Sequence, residues 1–186
     1  MDNLLDEDLS PLDAPIEGEF ASFWRRVGAS LIDTLLVLAL FPLSYYNMIQ
    51  WKSMPLLLVL ATIPLLYKNY CEYTWGATLG KYLNGIVVTT ENFQKPSLKD
   101  IIFRNCFNIA AGLVSLGSSI YVFSQPAFAA TKTFIDVSLL TAKSPLAQWT
   151  NIFGLLIIVD ILFIFGSPQK QTLHDKIAKT FVLRND

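Results

Sequence analysis

The stretch VGASLIDTLLVLALFPLSYYNM, Val27 to Met48, decides the fold. It is apolar throughout, broken only by Asp33 and a few small polar groups. A bilayer core of about 30 Å is crossed by about 20 helical residues, so this run can span one. Three more runs follow: Met54–Tyr67, Cys106–Phe123 and Trp149–Phe165, the last with Asp160 inside it. The second is short. It is read as extending through Trp51 and Tyr70, with a kink at Pro64, where proline removes a backbone bond.

The pattern predicts an all-α membrane protein, a bundle of four transmembrane helices over about 24–48, 51–70, 104–123 and 149–166. Composition agrees. Hydrophobic residues make up 53% of the 186 and charged residues 16%, against about 25% charged in a soluble domain. A soluble bundle is excluded, because the polar residues are too few to cover four such runs. Aromatics mark the run ends (Trp24, Tyr45, Tyr46, Trp51, Tyr70, Tyr73, Trp75, Tyr121, Trp149), where rings favour the headgroup level.

Basic residues set the orientation. Eleven of the fourteen Lys and Arg residues fall on one side of a four-span chain; Lys52, Lys132 and Lys143 fall on the other. The basic side is expected to be cytosolic, which places both termini there. Residues 1–19 hold seven acids and no Lys or Arg. They read as an acidic, solvated cytosolic tail and not as a signal peptide, which needs a positive start. The transmembrane domain is then 20–186.

The connections carry their own signals. Ile86-Val87-Val88-Thr89-Thr90 is β-branched throughout and reads as a strand, as does Lys179-Thr180-Phe181-Val182-Leu183. A lone strand at an interface leaves ladder groups unpaired, so the two are expected to pair as a small cytosolic element. Glu91-Asn92 reads as a turn, and Ser97 as the N-cap of a helix running through Arg104. The 124–148 segment is too apolar for a free loop; a re-entrant or surface-lying helix across Ala127–Leu140 is expected.

Arg26, Ser30 and Asp33 share one helix face. An intramembrane carboxylate at a helix centre costs roughly 2.5–3.5 kcal/mol on insertion scales, so Asp33 must face protein or water. It is either a proton or cation site or an ion pair with Arg26 or Arg104. Asp160 lies at nearly the same depth and could share such a site with Asp33. At the start of the third span, Arg104, Asn105 and Asn108 could meet these acids, and Ala111, Ser115 and Ser119 form a small-residue packing stripe. Gly76-Ala77-Thr78-Leu79-Gly80-Lys81 lacks phosphate-loop spacing. With Gly85 it reads as an interfacial turn whose Lys81 reaches to headgroups. His174-Asp175 has no metal partner by spacing and reads as a tie for its segment. Cys71 and Cys106 read as free thiols. No catalytic constellation, metal site or cofactor motif is present, so an enzyme is not expected, nor is a nucleic-acid partner.

Together these elements resemble the RDD family of bacterial integral membrane proteins. The carriers are Phe23-Trp24-Arg25-Arg26 through Asp33, Gly76 through Val88, Arg104, and Gln171-Thr172-Leu173-His174-Asp175-Lys176 through Thr180. The family arginine falls on Arg26, with Arg25 the alternative, and the aspartates on Asp33 and Asp175. Asp160, the 124–148 insert and the acidic tail lie outside the common pattern. The resemblance implies a bacterial inner-membrane location and a charge network of Arg26, Asp33, Arg104 and Asp175. Some family members are described as cation/proton antiporters. Three roles are expected in order: an accessory or scaffold subunit of a membrane complex; an oligomeric antiporter using Asp33, with Asp160; and a lipid-interacting protein. The partners expected are the bilayer and other membrane subunits, or a second copy.

Overall fold

A computed structural model describes residues 19–185, so the acidic-tail expectation lies, but for Glu19, outside the described residues. The chain forms α1 (Phe23–Leu38), α2 (Phe41–Tyr46), a π-helical turn (Asn47–Trp51), α3 (Met54–Trp75), α4 (Leu79–Leu83), β1 (Ile86–Thr90), α5 (Leu98–Arg104) and α6 (Cys106–Ser124). A 3-10 turn (Pro126–Ala130), α7 (Phe134–Ala142), α8 (Ala147–Leu162), another 3-10 turn (Phe163–Gly166), α9 (Leu173–Ile177) and β2 (Thr180–Arg184) complete it.

Four helical segments among the described residues are long and apolar enough to cross a membrane: Phe23–Trp51, Met54–Trp75, Cys106–Ser124 and Ala147–Gly166. The second differs from the expected 51–70. Ser53 is its N-cap, accepting from the Leu56 amide, and Pro55 sits in the first turn, where its missing N–H costs nothing. Trp51 therefore ends the first span instead. α3 runs on through Pro64 to Trp75, where Gly76 (φ 68°) closes it with a bond from its amide to the Glu72 carbonyl.

At one end of the bundle, β1 and β2 pair antiparallel, with Val88 opposite Val182. Residues 19–21 lie along the free side of β2: the Ala21 amide donates to the Val182 carbonyl at 2.9 Å and the Arg184 amide to the Glu19 carbonyl at 2.7 Å. The sheet buries Ile86, Val88 and Val182 against Ala21 and Ala29. Ser97 and Asp100 form a capping box that starts α5.

At the other end, the 124–148 segment is two short helices and not one. Thr131–Thr133 break it, and α7 restarts at Thr133, which forms a capping box with Asp136. Amide donation from Lys132, with further bonds from Thr133, holds the Asp136 carboxyl below its ordinary range. Val122, Phe128 and Val137 make a small core there. Lys52 Nζ caps it, donating to the Phe128, Ala129 and Thr131 carbonyls at 3.1, 2.6 and 3.1 Å. Within α6 the small residues in close contact are Gly112, against Leu65, Gly117, against Leu146, and buried Ser118; Ser115 of the expected stripe is exposed.

Candidate functional site

The strand end of the bundle gathers the buried charges. Glu72 and Asp175 are both fully buried. The Asp175 carboxylate receives Arg26 Nη1 at 2.6 Å and pairs with Arg104. It also accepts from the Thr172 amide at 3.2 Å, which caps α9. Glu72 pairs with Lys81, stands 3.6 Å from Arg104 Nε, and accepts from Asn105 Nδ2 at 2.9 Å. Arg104 Nη1 also donates to Thr180 Oγ1 at 2.8 Å. One arginine thus bridges two carboxylates and β2. The cluster ties α1, α3, α4, α5, α9 and β2 together, because a buried charge must be paired where water cannot reach it.

Three of the four expected network residues meet here: Arg26, Arg104 and Asp175. Asp33 does not. The expected ion pair of Asp33 with Arg26 or Arg104 is absent, because Arg26 is turned toward Asp175. Asp33 instead caps the start of α4. It accepts from Thr78 Oγ1 at 2.6 Å, the Gly80 amide at 2.9 Å and Tyr67 Oη at 2.9 Å. Tyr67 Oη in turn accepts from the Leu79 amide at 2.9 Å. Charge-assisted bonds of this kind are the strong ones. The carboxylate also meets the positive end of α4's aligned peptides.

That arrangement explains the Gly76–Gly85 segment. Gly76 turns the chain out of α3, Thr78 starts α4, and Gly85 (φ 59°) leads into β1. A Cβ on Gly80 would lie 2.9 Å from the Asp33 carboxyl carbon and would strike the Ala29 carbonyl oxygen. Only glycine lets α4 lie this close to α1. Lys81, expected to reach headgroups, turns inward to Glu72 because that buried acid needs a cation. Burial lowers its ammonium to about 8, with Glu72 opposing the shift.

Asp160 does not share a site with Asp33. It accepts from the His174 amide at 2.7 Å, and its second oxygen lies 2.5 Å from His174 Nδ1. Burial holds the His174 imidazole below its ordinary value, although Asp160 and Asp175 pull it up. Burial also disfavours the Asp175 carboxylate, but Arg104, His174 and Arg26 overcome this and hold its carboxyl far below the usual range. The tie expected of His174-Asp175 is thus made through Asp160 as well.

Glu72 and Asn105's bond to it were not foreseen. Glu72 stands in Asn69-Tyr70-Cys71-Glu72-Tyr73, where an acid at a span's end reads as solvated. No local motif marks it, since its partners Lys81 and Arg104 stand far along the chain. No group of three His, Cys, Asp or Glu side chains that could hold a metal occurs among the described residues, and Cys71 and Cys106 are free thiols.

Compared with known families, residues 20–179 match the model of the RDD family. No curated protein and no solved structure matches the chain.

Proposed function

The chain belongs to the RDD family, and on that premise we propose that it is an accessory or scaffold subunit of a membrane complex. It sits in a bacterial inner membrane with both termini in the cytosol.

The observation that carries this reading is how the acids are closed. Asp33 is held by donors from α3 and α4, Glu72 by Lys81 and Asn105, Asp175 by two arginines, and Asp160 by His174. A carboxylate that carries ions must exchange partners within a transport cycle. These are each paired with groups fixed in the fold, as suits a lock that holds short elements in register. The apolar spans meanwhile bury little of themselves within the chain, only 6% of the hydrophobic window of the first. That leaves lateral surface for neighbouring helices.

The test is cation-dependent proton flux in proteoliposomes, wild type beside Asp33→Asn. The subunit reading expects no flux from folded wild type and a reduced folded yield for the variant. An amide cannot accept with both of its ends, so it faces one of the three donors with an N–H. Flux in wild type that disappears in Asp33→Asn would overturn the reading and place an antiport site at Asp33.

Orientation is supported by the basic excess at the strand end. A green fluorescent protein fused after Asp186 is expected to fluoresce in cells, as it does only when it stays cytosolic. A dark fusion, with alkaline phosphatase active at the same position, would reverse the topology.

A further inference from the structure

A cavity of about 290 Å³ lies beside the charge cluster, between α1, the end of α3 and the end of α8. Its ionisable lining groups are Arg26, Lys68, Lys81, Arg104 and His174; no Asp or Glu lines it. Glu72, Asp160 and Asp175 meet these cations from outside the wall. Counting Arg26, Lys68, Lys81 and Arg104 against those three carboxylates, with His174 neutral, the group carries one surplus positive charge.

Two cations have bonding capacity to spare. Arg26 gives Nη1 to Asp175, while its Nε and Nη2 are buried with no hydrogen-bond partner. Buried guanidinium N–H groups left unpaired are costly, so these two point to a missing acceptor. Lys68 adds its charge to the field around Glu72 but makes no hydrogen bond or ion pair among the described residues.

The shape narrows what that acceptor is. The volume is at the small end for ligand pockets, enough for a head group and not for a whole lipid. Leu31 and Ile161 line it and are also 59% and 43% exposed, so it opens sideways between α1 and α8. Its wall follows α1 from Arg26 to Thr34, about 12 Å of helix. A cationic recess at the end of a span, open toward the lipid side and apolar at its mouth, matches an anion attached to an apolar chain.

We propose that this cavity binds a net-anionic phosphate group, one with no cation of its own attached, its oxygens held by Arg26 Nε and Nη2 and by Lys68, with any apolar attachment leaving between Leu31 and Ile161. The site is independent of the subunit role: it uses groups that the charge lock leaves over.

The experiment is native mass spectrometry of the full chain from neutral maltoside micelles. The probes are short-chain phosphatidylglycerol and phosphatidylcholine, with inorganic phosphate as a competitor against chloride at equal ionic strength. Two variants leave the paired network intact: Lys68→Gln removes a cation, and Ser30→Phe fills the recess. Helical circular dichroism checks that both fold. The expected result is preference for phosphatidylglycerol, weakened roughly fivefold by each variant. No displacement by inorganic phosphate identifies a lipid as the source. Displacement shows that the phosphate group alone suffices, so a soluble phosphate also serves. Equal retention of the two lipids, or unchanged phosphatidylglycerol binding in either folded variant, overturns the proposal.

Discussion

Replacing Asp175 with asparagine is expected to lower stability by about 3–5 kcal/mol, the cost of breaking a buried ion pair by removing one partner. The change keeps the shape and removes the charge that Arg26 and Arg104 share. Both guanidiniums then stay buried, Arg104 with Glu72 alone. The introduced amide also cannot reproduce both carboxylate oxygens, so an N–H replaces either Oδ2, which accepts from both Thr172 and Arg26, or Oδ1, which pairs with Arg104. The measurement is thermal unfolding of purified protein in one detergent, beside Asp136→Asn as control. Asp136 caps α7 at the opposite end, is half-buried and carries no ion pair with the cluster, so its loss is expected to weaken one helix start and leave the melting close to wild type. If Asp175→Asn melts no lower than that control, the cluster does not hold the strand end together, and the assignment of Asp175 as its centre fails.

Much of this could be read in the sequence, for reasons that differ element by element. The spans were legible because lipid imposes length and apolarity on every residue. The strand pair was legible because β-branched runs at an interface need partners. Its third member, residues 19–21, was not: three residues carry no pattern, and only the free edge of β2 calls for them. The start of α3 was misplaced although Ser53-Met54-Pro55 carried a cap and a first-turn proline, because the hydrophobic run drew the boundary toward Trp51. The site divided along the same line. Arg26, Arg104 and Asp175 were expected to converge, and they do. Asp33 was drawn toward the arginines because charge suggests charge, whereas backbone and hydroxyl donors from α4 and Tyr67 satisfied it first. Glu72 was missed because its partners, Lys81 and Arg104, lie nine and thirty-two positions along the chain, beyond any local motif.

Gly80→Ala tests the other half of the site, and its sign matters as much as its size. Alanine is the better helix former by about 1 kcal/mol, so an unpacked α4 would be stabilised. In the docked arrangement the new Cβ meets the Ala29 carbonyl oxygen and lies 2.9 Å from Asp33 Cγ and Oδ1. The first is backbone and cannot rotate away; the second is held by three donors. α4 must therefore lift from α1, stretching the Gly80 amide and Thr78 hydroxyl bonds to Asp33. Overpacking costs about 1–3 kcal/mol, and each weakened bond to a charged group about 1.5–3 more, so a net loss of about 3 kcal/mol or more is expected. Gly28→Ala is the matched comparison on α1. Its Cβ meets Asn84 Oδ1 at 2.6 Å, a side-chain atom that can turn aside, so its loss is expected to be under about 1.5 kcal/mol. Thermal unfolding of both variants in the same detergent reads the difference. A Gly80→Ala protein as stable as wild type would mean that α4 does not rest on α1, and that Asp33 is free of the cap that closes it.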